Sequence, residues 1–140
     1  MAMQIDNNLK NAMNKSKMKK SVGEFISELF NSRTQTHIFH LNTTSFAVHK
    51  ALNEYYDGII DLADSIAEAY QGKYGIIMGY ARTASFVEVG KPVEYLRGIR
   101  DCVTGCRYDT FSKEDSNIQN EIDNVVTLLD LTIYKLTFLS

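Results

Sequence analysis

Apolar side chains recur every three or four residues in four separate runs along this chain, and each run predicts an amphipathic helix. The first opens at Ser21, with Glu24 three residues on to complete a capping box. Behind it Val22, Phe25, Ile26, Leu29, Phe30 and Leu41 fall on one side, with Arg33, His37 and His40 in the same stripe. Asn42-Thr43-Thr44-Ser45 breaks the pattern and supplies N-caps for a second helix, from about Ser45 to Tyr70. One face of that helix carries Leu52, Tyr55, Tyr56, Ile59, Leu62, Ala63, Ile66, Ala67 and Tyr70. The opposite face carries Glu54, Asp57, Asp61, Asp64 and Glu68, joined only by Lys50. His49, Asn53 and Ile60 lie on the border between the two.

Gly72 and Gly75 close the second helix. Residues 76–91 form a long connection rich in glycine and β-branched residues, with room for a short extra helix. Pro92, suited to a first helical position, opens a third helix through about Tyr108, with Val93, Leu96, Ile99, Cys102, Val103 and Cys106 as its apolar contacts. Ser112-Lys113-Glu114-Asp115 caps a fourth, striped by Ile118, Ile122, Val125, Val126, Leu129, Ile133 and Leu136. Four such helices predict an all-α four-helix bundle. The long middle connection predicts a crossover between parallel helices two and three.

Composition adds bounds. With 140 residues, 44% apolar and 23% charged, one soluble domain is expected. No apolar run approaches the roughly 20 residues that span a bilayer, so no membrane partner is expected. The polar start MAMQIDNNLK lacks a signal core, and two cysteines are too few for a disulfide framework. A reduced, cytoplasmic chain is the expectation, with Cys102 and Cys106 as core residues.

The net charge of −2 conceals an asymmetry. Residues 1–20 hold Lys10, Lys15, Lys17, Lys19 and Lys20 against Asp6 alone, +4, while the other 120 residues hold 10 basic and 16 acidic side chains, −6. We therefore expect a basic flexible arm over 1–20, able to contact DNA phosphates without sequence preference, and a bundle domain over 21–140.

The chemistry concentrates between His37 and Glu68. Five carboxylates in one stripe repel one another, which suits a surface that meets cations or a basic partner. His37 and His40 face a bundle interior, where an imidazole needs a carboxylate or a metal as partner. His49 and Asp64 lie 15 residues apart on one helix, about 22 Å by helical rise. They cannot share an ion within one chain. A common site requires two copies packed antiparallel about a two-fold axis.

His40-Leu41-Asn42, Phe46-Ala47-Val48-His49 and Asp64-Ser65-Ile66-Ala67-Glu68 resemble the diagnostic stretches of the Dps-type mini-ferritins. In that family a second-helix histidine is followed 15 and 19 residues later by Asp and Glu, as His49 is by Asp64 and Glu68. The resemblance covers residues 37–75 well and the last two helices in outline. It extends to small ferritin-like proteins of tailed bacteriophages. It implies a ferritin-like subunit, a two-fold interface site, assembly into a hollow dodecamer, oxidation of ferrous iron and, in some members, DNA binding by lysine-rich arms.

Two positions depart from the family pattern. Asn53 stands where an acidic ligand is found, and the first-helix histidine has two candidates: His40 keeps the His-x-Asn context, whereas His37 keeps the interval of twelve to His49. The expected metal ligands are thus His37, His40, His49, Asn53, Asp64 and Glu68, with Asp57 and Asp61 as a cation approach. Iron is the expected metal and zinc its competitor. The competing expectation is a non-enzymatic, structural or DNA-compacting ferritin-fold protein with a degenerate site.

Overall fold

The computed structural model describes residues 20–81 and 85–140. The described residues form four helices: α1 (Val22–Asn42), α2 (Phe46–Tyr74), α3 (Pro92–Thr110) and α4 (Ser116–Phe138). They pack as a bundle in which α1 touches α2 and α3, and α4 touches α2 and α3. The two remaining pairs, α1 with α4 and α2 with α3, lie diagonally across the core.

The helix starts follow the local chemistry. Ser21 and Glu24 satisfy each other's backbone amides in a capping box. Ser45 accepts from Val48 N–H, and Pro92 occupies the first turn of α3. The start of α4 departs from expectation. Asp115 is its N-cap, but the carboxylate makes no capping bond. It is buried and accepts instead from Lys73 Nζ and the Tyr74 hydroxyl, tying the end of α2 to the α3–α4 turn. That anchor accompanies a longer α2, which continues one turn beyond Tyr70 to Tyr74.

Leu52, Tyr55, Ile59, Ala63 and Ile66 of α2 meet Phe25, Ile26 and Leu29 of α1, Leu96, Ile99 and Val103 of α3, and Ile118, Ile122, Val125 and Leu129 of α4 in one core. Each large side chain here contributes about 1.5–3 kcal/mol by leaving water. Cys106 belongs to this core, whereas Cys102 is only half-buried. The Cys106 thiol beside it, and then Lys20, hold the Cys102 thiol down at about 7.

The first helix corrects the apolar-stripe reading. Phe30 and Leu41 are exposed, as is Arg33. The buried face over the second half of α1 is instead Ser32, Gln35, Thr36, Phe39 and His40. Polar groups are tolerated there because each is bonded. Ser32 Oγ lies 2.7 Å from both Leu29 O and the Tyr55 hydroxyl, and Thr36 Oγ1 donates to Ser32 O. No buried side-chain nitrogen or oxygen among the described residues lacks a partner.

The described residues of the connection after α2 contain no helix; they form an extended strap fastened along α1. At one end Gly23 packs so closely that a Cβ there would lie 2.7 Å from Gly79 O. Next, Ala81 N–H donates to Ser27 Oγ at 3.0 Å. Farther on, the Gln35 amide reads both backbone groups of Val87, donating to its carbonyl at 2.8 Å and accepting from its N–H at 2.9 Å. At the far end Asn42 Nδ2 donates to Glu88 O. The strap thus passes from the first turn of α1 to its last residue before α3 begins.

Candidate functional site

The short turn between α1 and α2 brings His40, in the last turn of one helix, against His49, in the first turn of the next. Their contact is reciprocal. His40 Nδ1 lies 2.6 Å from His49 O, and His49 Nδ1 lies 2.8 Å from His40 O. A carbonyl oxygen can only accept, so each Nδ1 carries a proton. In the neutral rings this leaves each Nε2 with its lone pair, the form in which imidazole binds metals. The rings stack with centroids 3.5 Å apart and planes 21° from parallel. Lone pairs in near-parallel planes do not converge, so His40 and His49 staple the turn rather than chelate as a pair.

His37, one turn earlier, is half-buried. Its ring stacks on Tyr56 at 4.2 Å, and its edge meets His40 at 5.8 Å. The Tyr56 hydroxyl donates to Asn53 Oδ1 at 2.6 Å, and Asn53 Nδ2 donates to Asp57 Oδ2 at 2.9 Å. A hydrogen-bonded chain therefore runs from Tyr56, on which His37 stacks, through Asn53 to Asp57 of the α2 stripe. Tyr56, read in the sequence as an apolar-face residue, is its first link. The signal available for it was its i+3 spacing from Asn53, which puts the two side chains one turn apart.

Of the expected ligands, His37, His40, His49 and Asn53 gather at one end of the α1–α2 pair. Asp64 and Glu68 are exposed farther along α2 and do not join them. Among the described residues, no three His, Cys, Asp or Glu side chains come together to hold a metal ion within one chain. Asn53 Oδ1, the only atom of that side chain able to ligate a cation, already accepts one hydrogen bond from Tyr56.

The acidic stripe is better compensated than its own helix suggested. Glu54 pairs with Lys135 of α4, a contact that holds its carboxyl below the ordinary range. Asp57 is bonded to Asn53. Asp61, Asp64 and Glu68 form the exposed remainder.

Lys10, Lys15, Lys17 and Lys19 lie outside the described residues. Lys20 is described, and it belongs to the bundle. Its Nζ pairs with Glu28 at 3.2 Å, and its carbonyl accepts from Thr110 Oγ1 at 2.7 Å. No helix of the described chain is long and apolar enough to cross a membrane.

Comparison with known families adds one match. Residues 40–136 fit the model of a family of unknown function, DUF5856. The chain belongs to that family. The region shared with DUF5856 contains both members of the His40–His49 staple, all of α2, the strap and α3, and nearly all of α4. His37 lies before it. No curated protein and no solved structure matches the chain.

Proposed function

We propose that this chain is a Dps-like mini-ferritin that binds ferrous iron, and oxidises it with dioxygen or peroxide, at a site closed by a second copy of itself. The observation that carries the reading is the His40–His49 exchange. It fixes the His49 ring in the tautomer that leaves Nε2 available, at the position from which the Asp64 and Glu68 intervals are counted. The bundle, and a strap that runs the length of α1 between α2 and α3, support the ferritin-like crossover architecture.

Within this reading His37 is the first-helix ligand. His40 is buried and spent on the turn, while His37 retains an accessible ring. His49 and His37 from one copy would meet the partner's Asp64 and the partner's Glu68. Imidazole with carboxylate suits iron and admits zinc. Asp57, bonded to Asn53, stands one turn from the place of the missing acid. Asp61 continues the approach path for cations. Assembly into a dodecamer, and DNA contact through Lys10, Lys15, Lys17 and Lys19, belong to the same proposal, as does a cytoplasmic setting.

Ferrous iron added without oxygen, followed by oxygen or peroxide with the absorbance recorded, tests the reading. The chain should bind and oxidise iron, and Asp64→Ala with Glu68→Ala should abolish both. Failure to bind iron would overturn it.

The bond from Tyr56 to Asn53 Oδ1 favours one second reading, a ferritin-fold protein of structural or DNA-compacting role, phage-encoded members among its models. That protein would shift DNA in a salt-sensitive manner, lost on removal of residues 1–19, and would bind no iron.

A further inference from the structure

Among its described residues the strap between α2 and α3 buries Ile77 and half-buries Phe86, but it turns five other apolar side chains outward. Ile76, Met78 and Val89 are 77%, 80% and 90% exposed, and Tyr80 and Val87 are about half exposed. A surface connection ordinarily shows the reverse distribution. Phe30 of α1 extends the surface, sharing with Tyr80 a hollow of about 340 Å³. Glu88 is the single charged residue among positions 75–81 and 85–90.

We propose that the outer face of this strap is the two-fold interface through which two copies of the chain pair. Three observations select a second copy as the occupant. The five strap side chains leave roughly 600 Å² of mostly apolar surface in water, which Phe30 raises toward the roughly 800 Å² per partner of an ordinary stable interface. Summed over the two described stretches, that area reaches the top of the range for the largest apolar patch on a typical monomer, about 300–600 Å². The near absence of charge lets the surface meet its own copy without repulsion, as an isologous contact demands. The described stretches of the strap are also already fastened to α1. Gly23 against Gly79, Ser27 with Ala81, Gln35 with Val87 and Asn42 with Glu88 hold it at both ends, so pairing immobilises little further backbone. The inference deepens the proposed function and rests on it for one point, the need for a second copy to close the site.

The test is sedimentation equilibrium by analytical ultracentrifugation of the full chain, in chelator, across the micromolar range. Chelator separates pairing from any effect of iron. The wild type should form dimers, or a larger even assembly built from them. Met78→Asp with Val89→Asp should weaken pairing by on the order of 100-fold. Ile76→Ser, a milder change on the same face, should weaken it less. Leu131→Asp with Tyr134→Asp, on the diagonally opposite helix α4, should leave the pairing intact. Helical circular dichroism on each variant identifies any that fails to fold, and the milder Ile76→Ser then carries the comparison. A wild type that stays monomeric, or folded strap variants that pair as tightly as wild type, would overturn the proposal. A dimer that dissociates on strap substitution yet binds no iron upholds it while refuting the iron reading.

Discussion

His40 and His49 exchange hydrogen bonds, each ring's Nδ1–H donating to the other residue's backbone carbonyl, at 2.6 and 2.8 Å. The exchange joins the last turn of α1 to the first turn of α2 and settles the proton position on both rings. It also divides the work among the three histidines, which leads to the first prediction.

His40→Ala should destabilise the fold by about 2 kcal/mol, since it removes a buried bonded ring and its stacking partner. It should leave iron binding in place. His37→Ala should cost less than about 1 kcal/mol, as expected for a half-exposed side chain, and should abolish iron binding. Urea unfolding alongside iron titration reads both quantities. The reverse pattern would return the ligand role to His40.

Asn53→Asp should strengthen iron binding and speed oxidation, because it restores an anionic oxygen four residues after His49. The new carboxylate would lie against Asp57, so the gain should be larger when Tyr56 is retained to donate to one of its oxygens. Stopped-flow absorbance of Asn53→Asp with Tyr56 intact and with Tyr56→Phe checks this. A variant no better than the parent would show that Asn53 is not at the metal.

Asp115 supplies a pH dependence. Lys73 first, and then the Tyr74 hydroxyl, hold its carboxyl below the usual value. A carboxyl depressed in the folded state stabilises fully above its unfolded pKa of about 3.9. That contribution is lost as pH falls through the lower folded value. Asp115→Asn should therefore be less stable than wild type at neutral pH, and the difference should close below about pH 4. Unfolding curves measured over a pH series decide it, and a constant difference would rule it out.

Gly23→Ala should be strongly destabilising although alanine favours helices. Its Cβ would lie 2.7 Å from Gly79 O, a backbone atom, so the strap must lift. A loss of about 2 kcal/mol is expected, in the range of overpacked sites. Gly98→Ala, where no atom lies within 4 Å of the added Cβ, should be neutral or slightly stabilising. Thermal unfolding of the pair compares them directly.

Much of the fold is legible in the sequence because its signals are local. Ser21 and Glu24, Pro92, and the period of Ile118, Ile122, Val125 and Leu129 each announce a helix within a few residues. Phe30 and Leu41 misled because α1 buries Ser32, Gln35 and Thr36 in their stead. Those polar residues look solvent-facing to any hydropathy pattern, and only the Tyr55 hydroxyl and the strap backbone reveal what satisfies them. Glu54 looked uncompensated because Lys135 reaches it from 81 positions away. The candidate site was legible as residue types and intervals. Its internal arrangement was not, since the His40–His49 exchange depends on how the Asn42–Ser45 turn sets two helices side by side.

The central claim is that His37 and His49 form half of an iron site that a second copy completes. Its most direct measurement is native mass spectrometry of the chain loaded anaerobically with ferrous iron, beside the Asp64→Ala, Glu68→Ala variant and the His37→Ala variant. Iron should appear only on dimers or larger even assemblies of the wild type, two half-sites from each pair contributing, and neither variant should carry it. Iron on a monomer, or equal loading of the variants, would contradict the account.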